Sequence, residues 1–496
     1  MMNYWKPVTL TGFHLLAVEM RVFTLLFQFL VFFSFGQKQA SVWYFGEYAG
    51  LAFTFEGPVE LQNSALSTTE GSASISDASG ELILYTDGTT VYNKNHLPMK
   101  NGKGLWGHYS TTQNLIIPQP GNDSIFFIFT MSPQHNAIFA DDSVGCHFSV
   151  VNLNRENGLG EVVLKNTLLL KNSTEKITAI HHANSTDIWV ITHEWGSNCF
   201  RSYLVNSTNI QRDGISSCIG TIHQGGGVLP GDNENAIGQM KLSPDGSTIA
   251  LVLSRSKKLE IFGFNKSTGQ ISSLIASISN FDQLAIGQYY GLEFSPNNKF
   301  IYITVTIGCG SNLADNPSQV WQYSIENQKT TKIGSFVGSL NAMQLALDGK
   351  IYISACNDIT GESDYMAVIN NPGREGRACN FQTRAVSLQG RKNKLGLPNF
   401  IQSYFRFEDP VIEMPNVFTP NGDEYNPIFK PIRFENMLEA DLQIINRWGQ
   451  EVFYTQEVKT GWNGGDAANG VYYWLLRYEG KNGKIGTAKG YIHLIR

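Results

Sequence analysis

Residues 181–198, HHANSTDIWVITHEWGSN, hold the richest set of reactive and ligating side chains in the chain. An imidazole beside a carboxylate suits general acid–base catalysis, several imidazoles suit a metal ion, and an indole beside them suits a sugar or other polar ligand. His181, His182, His193, Glu194 and Trp195 fall at the ends of two adjacent predicted strands. Side chains alternate along a strand, so some of them face a central channel and the others point elsewhere. His182, His193, Glu194 and Trp195 are the candidate ligand-binding residues, with His108 and Gln113 of GHYSTTQN at 107–114 as a second candidate group. No metal site is expected, since histidines at strand ends more often find backbone partners. The loops LPGDNENAIG at 229–238 and SNLADNPSQ at 311–319 carry enough oxygens for calcium but lack the spacing of a calcium hand, and solvated turns are the simpler expectation.

The usual catalytic signatures are missing. Neither HExxH nor GxSxG occurs, and SPDGSTIA at 243–250 has no Trp where a sialidase repeat requires one. The expectation is a protein without catalytic residues or cofactor. A net charge of −5, with 16% charged residues, provides no basic surface for nucleic acid.

The elements that must position these residues come from an internal repeat. QMKLSPDGSTIALVL at 239–253, GLEFSPNNKFIYITV at 291–305 and AMQLALDGKIYISAC at 342–356 each alternate apolar residues before a turn and continue with a β-rich run, the pattern of a hairpin. Ser243, Pro244, Asp245 and Gly246 have the chemistry of a type I turn. Weaker copies occur at 74–88, 116–130 and 181–195. The spacing of 52 residues from Ser243 to Ser295, and 51 to Ala346, is close to the length of one four-stranded propeller blade. Residues 41–405 span about seven such periods. The fold class is therefore read as all-β: a seven-bladed β-propeller over residues 41–409, with six blades as the alternative, followed by a small antiparallel β-sandwich over 411–496. GLPNFIQSYF at 396–405 and VWYFGEYAGLAF at 42–53 are expected to share the closing blade.

The chain carries an export address at its start. From Met20, Arg21 precedes the apolar run VFTLLFQFLVFFSF, and Ser34 and Gly36 are small residues placed for cleavage before Gln37. Residues 1–36 are thus read as an extension and signal peptide with a true start at Met20, a run too short to remain as a membrane span. The six cysteines suit an oxidising compartment, and Cys199 with Cys218 and Cys356 with Cys379 are the favoured pairs.

Pro410 and Pro415 mark a short extended linker. Beyond it, LQIINRWGQEVFYT at 442–455 turns at Gly449, and Asn482–Gly483 suits a two-residue hairpin turn. The sandwich core is expected to use Leu442, Ile444, Val471, Tyr473 and Leu475, or their alternates if the register shifts by one. NVFTPNGD at 416–423, LQIINRWGQEVF at 442–453, GWNG at 461–464, NGVYYW at 469–474 and the terminal KGYIHLIR resemble the gliding-motility-associated C-terminal domain, the type B sorting domain of type IX secretion. By position, Asn421, Gly422, Asp423, Arg447, Trp448, Gly449, Trp462, Gly470 and Arg496 match its pattern. Glu424, where the family has a second Gly, and Pro427 depart from it. The region before it, through EGSASISD, LYTDGTTVYNKN and GLPNFIQSYF, is similar to the WD40-like propellers that often precede that domain.

The resemblance implies export through the periplasm to the outside or the cell surface, with the outer-membrane translocon as partner and the tail as a folded address. The function expected is that of a non-catalytic binding or adhesion protein whose propeller meets an extracellular glycan or protein. The alternatives are an extracellular propeller hydrolase or lyase acting on polysaccharide, and a structural part of a gliding or adhesion apparatus. DSI at 123–125 and DSV at 142–144 resemble short bacterial O-glycosylation motifs.

Overall fold

The computed structural model describes residues 38–54, 57–134, 144–226, 233–282, 284, 286–307, 317–356 and 363–496. Residues 1–36, expected as an extension and signal peptide, residues 229–232 and 311–316 of the two oxygen-rich loops, and most of DSV lie outside the described residues. Strands and short 3-10 turns make up the regular structure, and among the described residues no helix is long and apolar enough to cross a membrane.

The repeated turn forms as its residues dictate. Gly246 N–H donates to Ser243 O at 2.8 Å, Asn298 N–H to Ser295 O at 3.0 Å, and Gly349 N–H to Ala346 O at 3.0 Å. The fourth residue of each turn takes a positive φ, +73° at Gly246, +59° at Asn298 and +85° at Gly349, where Gly and Asn are tolerated best. In the first copy Asp245 Oδ1 also accepts from Ser243 Oγ at 2.6 Å and Ser247 N–H at 3.0 Å.

These hairpins build a β-propeller. Its first sheet has three strands, Val42–Phe45, Ala49–Thr54 and Gly57–Leu61. Six meanders of four strands follow, beginning at Ala73–Ser76, Leu115–Gln119, Ser173–His181, Met240–Leu242, Gln288–Phe294 and Ser339–Leu345. The second and third sheets are continuous through a single parallel pairing, Glu161 with Lys100. The first strand of each meander is innermost, and Ala73–Ser76 meets Leu115–Gln119, Ser173–His181 meets Met240–Leu242, and Gln288–Phe294 meets both Met240–Leu242 and Ser339–Leu345. The seventh sheet meets the first through Tyr352, whose ring lies 5.7 Å from Trp43 and 5.1 Å from Phe53. We call the end of the ring where the inner strands begin the upper face, and the end where they finish, at the repeated turns, the lower face.

The axis is occupied by the chain itself. Pro398 bridges to Ser72, Ile401 to Ala179, and Leu395 O accepts from Ala342 N–H at 3.1 Å. Asn399 donates to Ile177 O at 2.9 Å and accepts from Lys241 Nζ at 3.2 Å. One segment touching the inner strands of the second, fourth, fifth and seventh sheets must run down the middle of the ring. The two chain ends do meet, with Trp43 and Phe400 5.7 Å apart and Glu47 bridged to Lys392. However, 396–405 adds no strand to the first sheet, contrary to the expectation of a shared blade. Pro398 lacks an N–H for a ladder, and the inner edges of the other sheets offer unpaired groups that draw the segment to the axis.

The C-terminal domain differs in detail from the expected antiparallel sandwich. Its main sheet has five strands, and Val417–Phe418 runs parallel to the final strand Ile485–Leu494. A two-stranded sheet, Val411–Glu413 with Arg433–Glu435, completes the domain. Leu442 and Ile444 are buried as expected, but Val471 and Tyr473 are exposed; strand Gly470–Gly480 turns the alternate set, Tyr472 and Leu476, inward. The final hairpin has a three-residue loop: Gly480 and Lys484 pair, and only Gly483, at φ +78°, is left-handed, so Asn482–Gly483 is not the two-residue turn expected.

Cys199 and Cys218 face each other in neighbouring strands and are bonded, as expected. The expected Cys356–Cys379 bridge does not form. Cys356 is bonded elsewhere, and Cys379 is a buried free thiol. Cys356 ends its strand at the upper face, whereas Cys379 closes a 3-10 turn at the lower one.

Candidate functional site

The fold separates the residues of the 181–198 stretch. In the hairpin Ser173–His181 with Ile188–Glu194, His181 pairs with Ile188 and Ser173 with Glu194, which puts His181 and His182 at the lower face and His193, Glu194 and Trp195 at the upper. At the lower face, His182 Nε2 lies 3.1 Å from Ser267 O and its Nδ1 accepts from Asn184 N–H at 3.0 Å. Glu194 is held by Arg201 at 2.5 Å and by Ser197 Oγ at 3.2 Å. Trp195 is half-buried, and its backbone N–H donates to Asn172 O at 2.7 Å. His193 is sealed in the core. Its Nδ1 donates to Glu194 O at 2.8 Å, and its ring stacks on His223 at 3.7 Å and meets the Phe200 edge at 4.6 Å. Burial pushes the His193 imidazole down to about 3, with the Lys176 charge acting in the same direction, and holds His223 well below the usual histidine range.

Gln113 serves the architecture. Its Oε1 accepts from Met240 N–H at 3.1 Å and Ile177 N–H at 3.4 Å, tying two inner strands together. Gln239 does the same for Leu292 at 3.0 Å and Met343 at 2.8 Å, and Glu293 accepts from Leu345 N–H at 3.1 Å. An inner strand has no neighbour on its axial edge, so its N–H groups need side-chain acceptors. Polar residues on these strands answer that need first.

At the upper mouth of the axis, Glu70 and Glu175 approach the hydroxyl of Tyr290, whose ionisation burial and the two carboxylates drive well above the usual range. Glu175 is fully buried, accepting from Thr112 N–H and Oγ1 at 3.1 Å and from Gln134 N–H at 2.9 Å. Beside it, Lys176 donates to Asn235 O at 3.3 Å, Ala236 O at 3.0 Å and Ile237 O at 2.6 Å, and burial pushes its ammonium down to about 7. Asn233 and Asn235, the described part of one oxygen-rich loop, bond to Gln134 O and to Gln224 O and Ser256 Oγ. Among the described residues, no three His, Cys, Asp or Glu side chains are grouped to hold a metal ion.

His108 is half-buried on the connection that leads to Leu115–Gln119. Its Nδ1 is 2.6 Å from Ser110 Oγ, and its ring lies 4.1 Å from Tyr109, which is 57% exposed. Tyr109 belongs to a rim that the sequence reading missed. Tyr48, Trp106, Tyr109, Ile222, Ile286 and Val337 are all exposed at the upper face, Tyr48 on the turn between Val42–Phe45 and Ala49–Thr54 and the other five on connections that lead into inner strands. The signal that marks its aromatic members is a Tyr or Trp within a Gly-rich connection, as in GLWGHY at 104–109.

In the C-terminal domain, Asn421, Gly422 and Asp423 make a self-satisfied exposed turn. Asp423 Oδ1 accepts from Tyr425 N–H at 2.8 Å, Asn421 Oδ1 from Asp423 N–H at 3.1 Å, and Gly422 has φ +92°. Trp462 is core, 5.3 Å from Phe418 and 5.2 Å from Tyr472. Trp448 is 71% exposed beneath the Arg447 guanidinium at 4.2 Å, on a turn with Gly449 at φ +81°. Gly470 opens its strand at φ +155°, and Arg496 closes the chain onto Gly465 O at 2.6 Å.

Residues 412–494 match the family described as CHU_C, a type IX secretion signal domain. No curated protein matches the chain. Solved structures similar to it include hydrazine synthase of Kuenenia stuttgartiensis, at 12% identity over 62% of this chain and 79% of that one, with a TM-score of 0.35. Others are the periplasmic gluconolactonase PpgL of Pseudomonas aeruginosa, at 12% over 83% and 94% with 0.33, and the β-propeller domain of Cps50 (Swd1) from Myceliophteria thermophila, at 9% over 65% and 94% with 0.37. At such identity a likeness of fold carries no activity with it. The tail is a type IX sorting domain, and the chain is exported to the cell surface or the extracellular space.

Proposed function

We propose that the chain is a surface or secreted binding protein whose propeller takes an extracellular glycan or protein ligand on its upper face. The observation that carries this reading is the rim of exposed Tyr48, Trp106 and Tyr109 with Ile222, Ile286 and Val337, gathered on one end of the ring. Exposed aromatic side chains on loops of a rigid scaffold provide stacking area at little conformational cost, and contiguous apolar exposure marks interaction surfaces. The test is binding of the full chain to arrays of polysaccharides and of envelope proteins. Trp106→Ala and Tyr109→Ala should each weaken the binding found by roughly tenfold or more, as truncated anchors do. Leu97→Ala, exposed on a lower-face turn, should leave it unchanged. Equal effects from the two faces would refute the assignment.

A second reading, an extracellular hydrolase or lyase acting on polysaccharide, is supported by the approach of Glu70 and Glu175 to Tyr290. His193 and Glu194, first considered for that chemistry, are engaged in the core and with Arg201. Turnover of a polysaccharide that is lost in Tyr290→Phe while binding persists would favour this second reading.

A further inference from the structure

We infer that the lower face of the propeller is a dedicated seat for the sorting domain, keyed by charge and shape, so that ring and tail form one body with the upper face held away from the tail. Glu439 and Glu479 lie directly opposite each other on paired strands of the sorting domain. Two like charges in that register repel unless a cation stands between them. The propeller supplies it: Arg374 Nη2 stands 3.0 Å from Glu439 Oε2 and 2.6 Å from Glu479 Oε2. A guanidinium shared by two carboxylates gives directional, charge-assisted bonds.

Lys481 makes a second key in the opposite direction. From the sorting-domain hairpin its ammonium reaches Leu347 O at 3.4 Å and lies 5.2 Å from the Phe407 ring. The fit is also steric. A Cβ on Gly483 would stand 2.8 Å from Asn297 Cβ, so the sorting-domain turn carries glycine where it touches the propeller. The joint encloses a void of about 10 Å³, room for no more than about one water. The connecting segment is pinned as well: Asp409 takes Lys484 Nζ at 2.6 Å and Asn482 Nδ2 at 3.0 Å. The short extended linker marked by Pro410 and Pro415 is thus held, at Asp409, against the domain it introduces.

Hydrogen exchange on the full chain tests the seat. In the wild type, segments 346–350, 371–376 and 480–484 should exchange slowly together. Arg374→Glu should speed all three by roughly tenfold, the factor that corresponds to about 1.4 kcal/mol, including 346–350 and 480–484, which Arg374 does not touch. The triple exchange Arg374→Glu with Glu439→Arg and Glu479→Arg should restore protection, which mere loss of a surface charge would not explain. Free exchange of these segments in the wild type, an increase confined to 371–376, or failure of the charge exchange to restore protection would overturn the inference. Melting of the propeller serves as the folding control and should be unchanged in Arg374→Glu.

Discussion

Lys241 is the most exacting point in the ring, and replacing it with Met should cost several kcal/mol. Neither Lys241 nor Glu293 has exposed side-chain surface, and the ammonium stands 3.4 Å from Glu293 Oε2, 2.5 Å from Gln344 Oε1 and 3.2 Å from Asn399 Oδ1. Burial pulls the ammonium down and the Glu293 carboxyl up, while each partner opposes the shift of the other. At an effective dielectric near 20, charges at this separation attract by about 5 kcal/mol. Removing one member of a buried pair typically costs about 3–5 kcal/mol, because the remaining charge has lost its partner. In Lys241→Met the carboxylate keeps the N–H groups of Phe294 at 2.9 Å and Leu345 at 3.1 Å but no cation, and the axial Asn399 loses one of its anchors. With unfolding entropy proportional to length, about 4 kcal/mol in a ring of this size lowers Tm by roughly 5 °C. Differential scanning calorimetry of the single variant and of Lys241→Met/Glu293→Gln reads the effect. The double variant removes both charges and keeps an acceptor for Leu345, so it should recover at least half of the loss. A single variant within about 1 °C of wild type, or a double variant no better than the single, would refute the reasoning.

Two further outcomes are expected. His193 is held down to about 3 by burial, so between its unfolded value of 6.5 and that point the unfolded chain binds the extra proton. Stability is intact above pH 6.5 and falls as pH drops toward 3, by about 2 kcal/mol at pH 5 from this group; Tm measured against pH should show that slope, and His193→Phe should flatten it. In the sorting domain, Trp462→Ala removes a core ring 3% exposed and should cost about 3–5 kcal/mol, abolishing surface display as read by protease shaving of whole cells. Trp448→Ala, exposed, should leave the domain's melting unchanged, so a loss of display there would mark a contact with the export machinery. Undiminished display of Trp462→Ala would show that the signal is read as sequence and not as a fold.

Several of these residues show why a candidate site is harder to read than a fold. Gln113, His193 and Glu194 have the types a binding site needs, yet each is already engaged within the fold: Gln113 and His193 by Met240 and His223, distant in the chain, and Glu194 by Arg201 across the next hairpin. Residue type states what a group can bond, and only the assembled ring states what stands next to it. Trp106 and Tyr109 are hard to read for the opposite reason, since aromatic residues in a β protein are ordinarily core and only the Gly-rich setting of GLWGHY sets these two apart.

The sequence by itself determined the strand periodicity, the turn at Ser243–Gly246 and its copies, the repeat near 52 residues and the sorting-domain motifs. These are local quantities, set by alternation, by φ preferences and by contacts a few residues apart. Only the tertiary structure decided the axial course of 395–402, the inward face of Gly470–Gly480, the free state of Cys379, the upper rim and the seat around Arg374. Each of these depends on which unpaired edge, charge or surface lies nearest once the ring closes. Those distances are set by packing among segments hundreds of residues apart, and no window of sequence contains them.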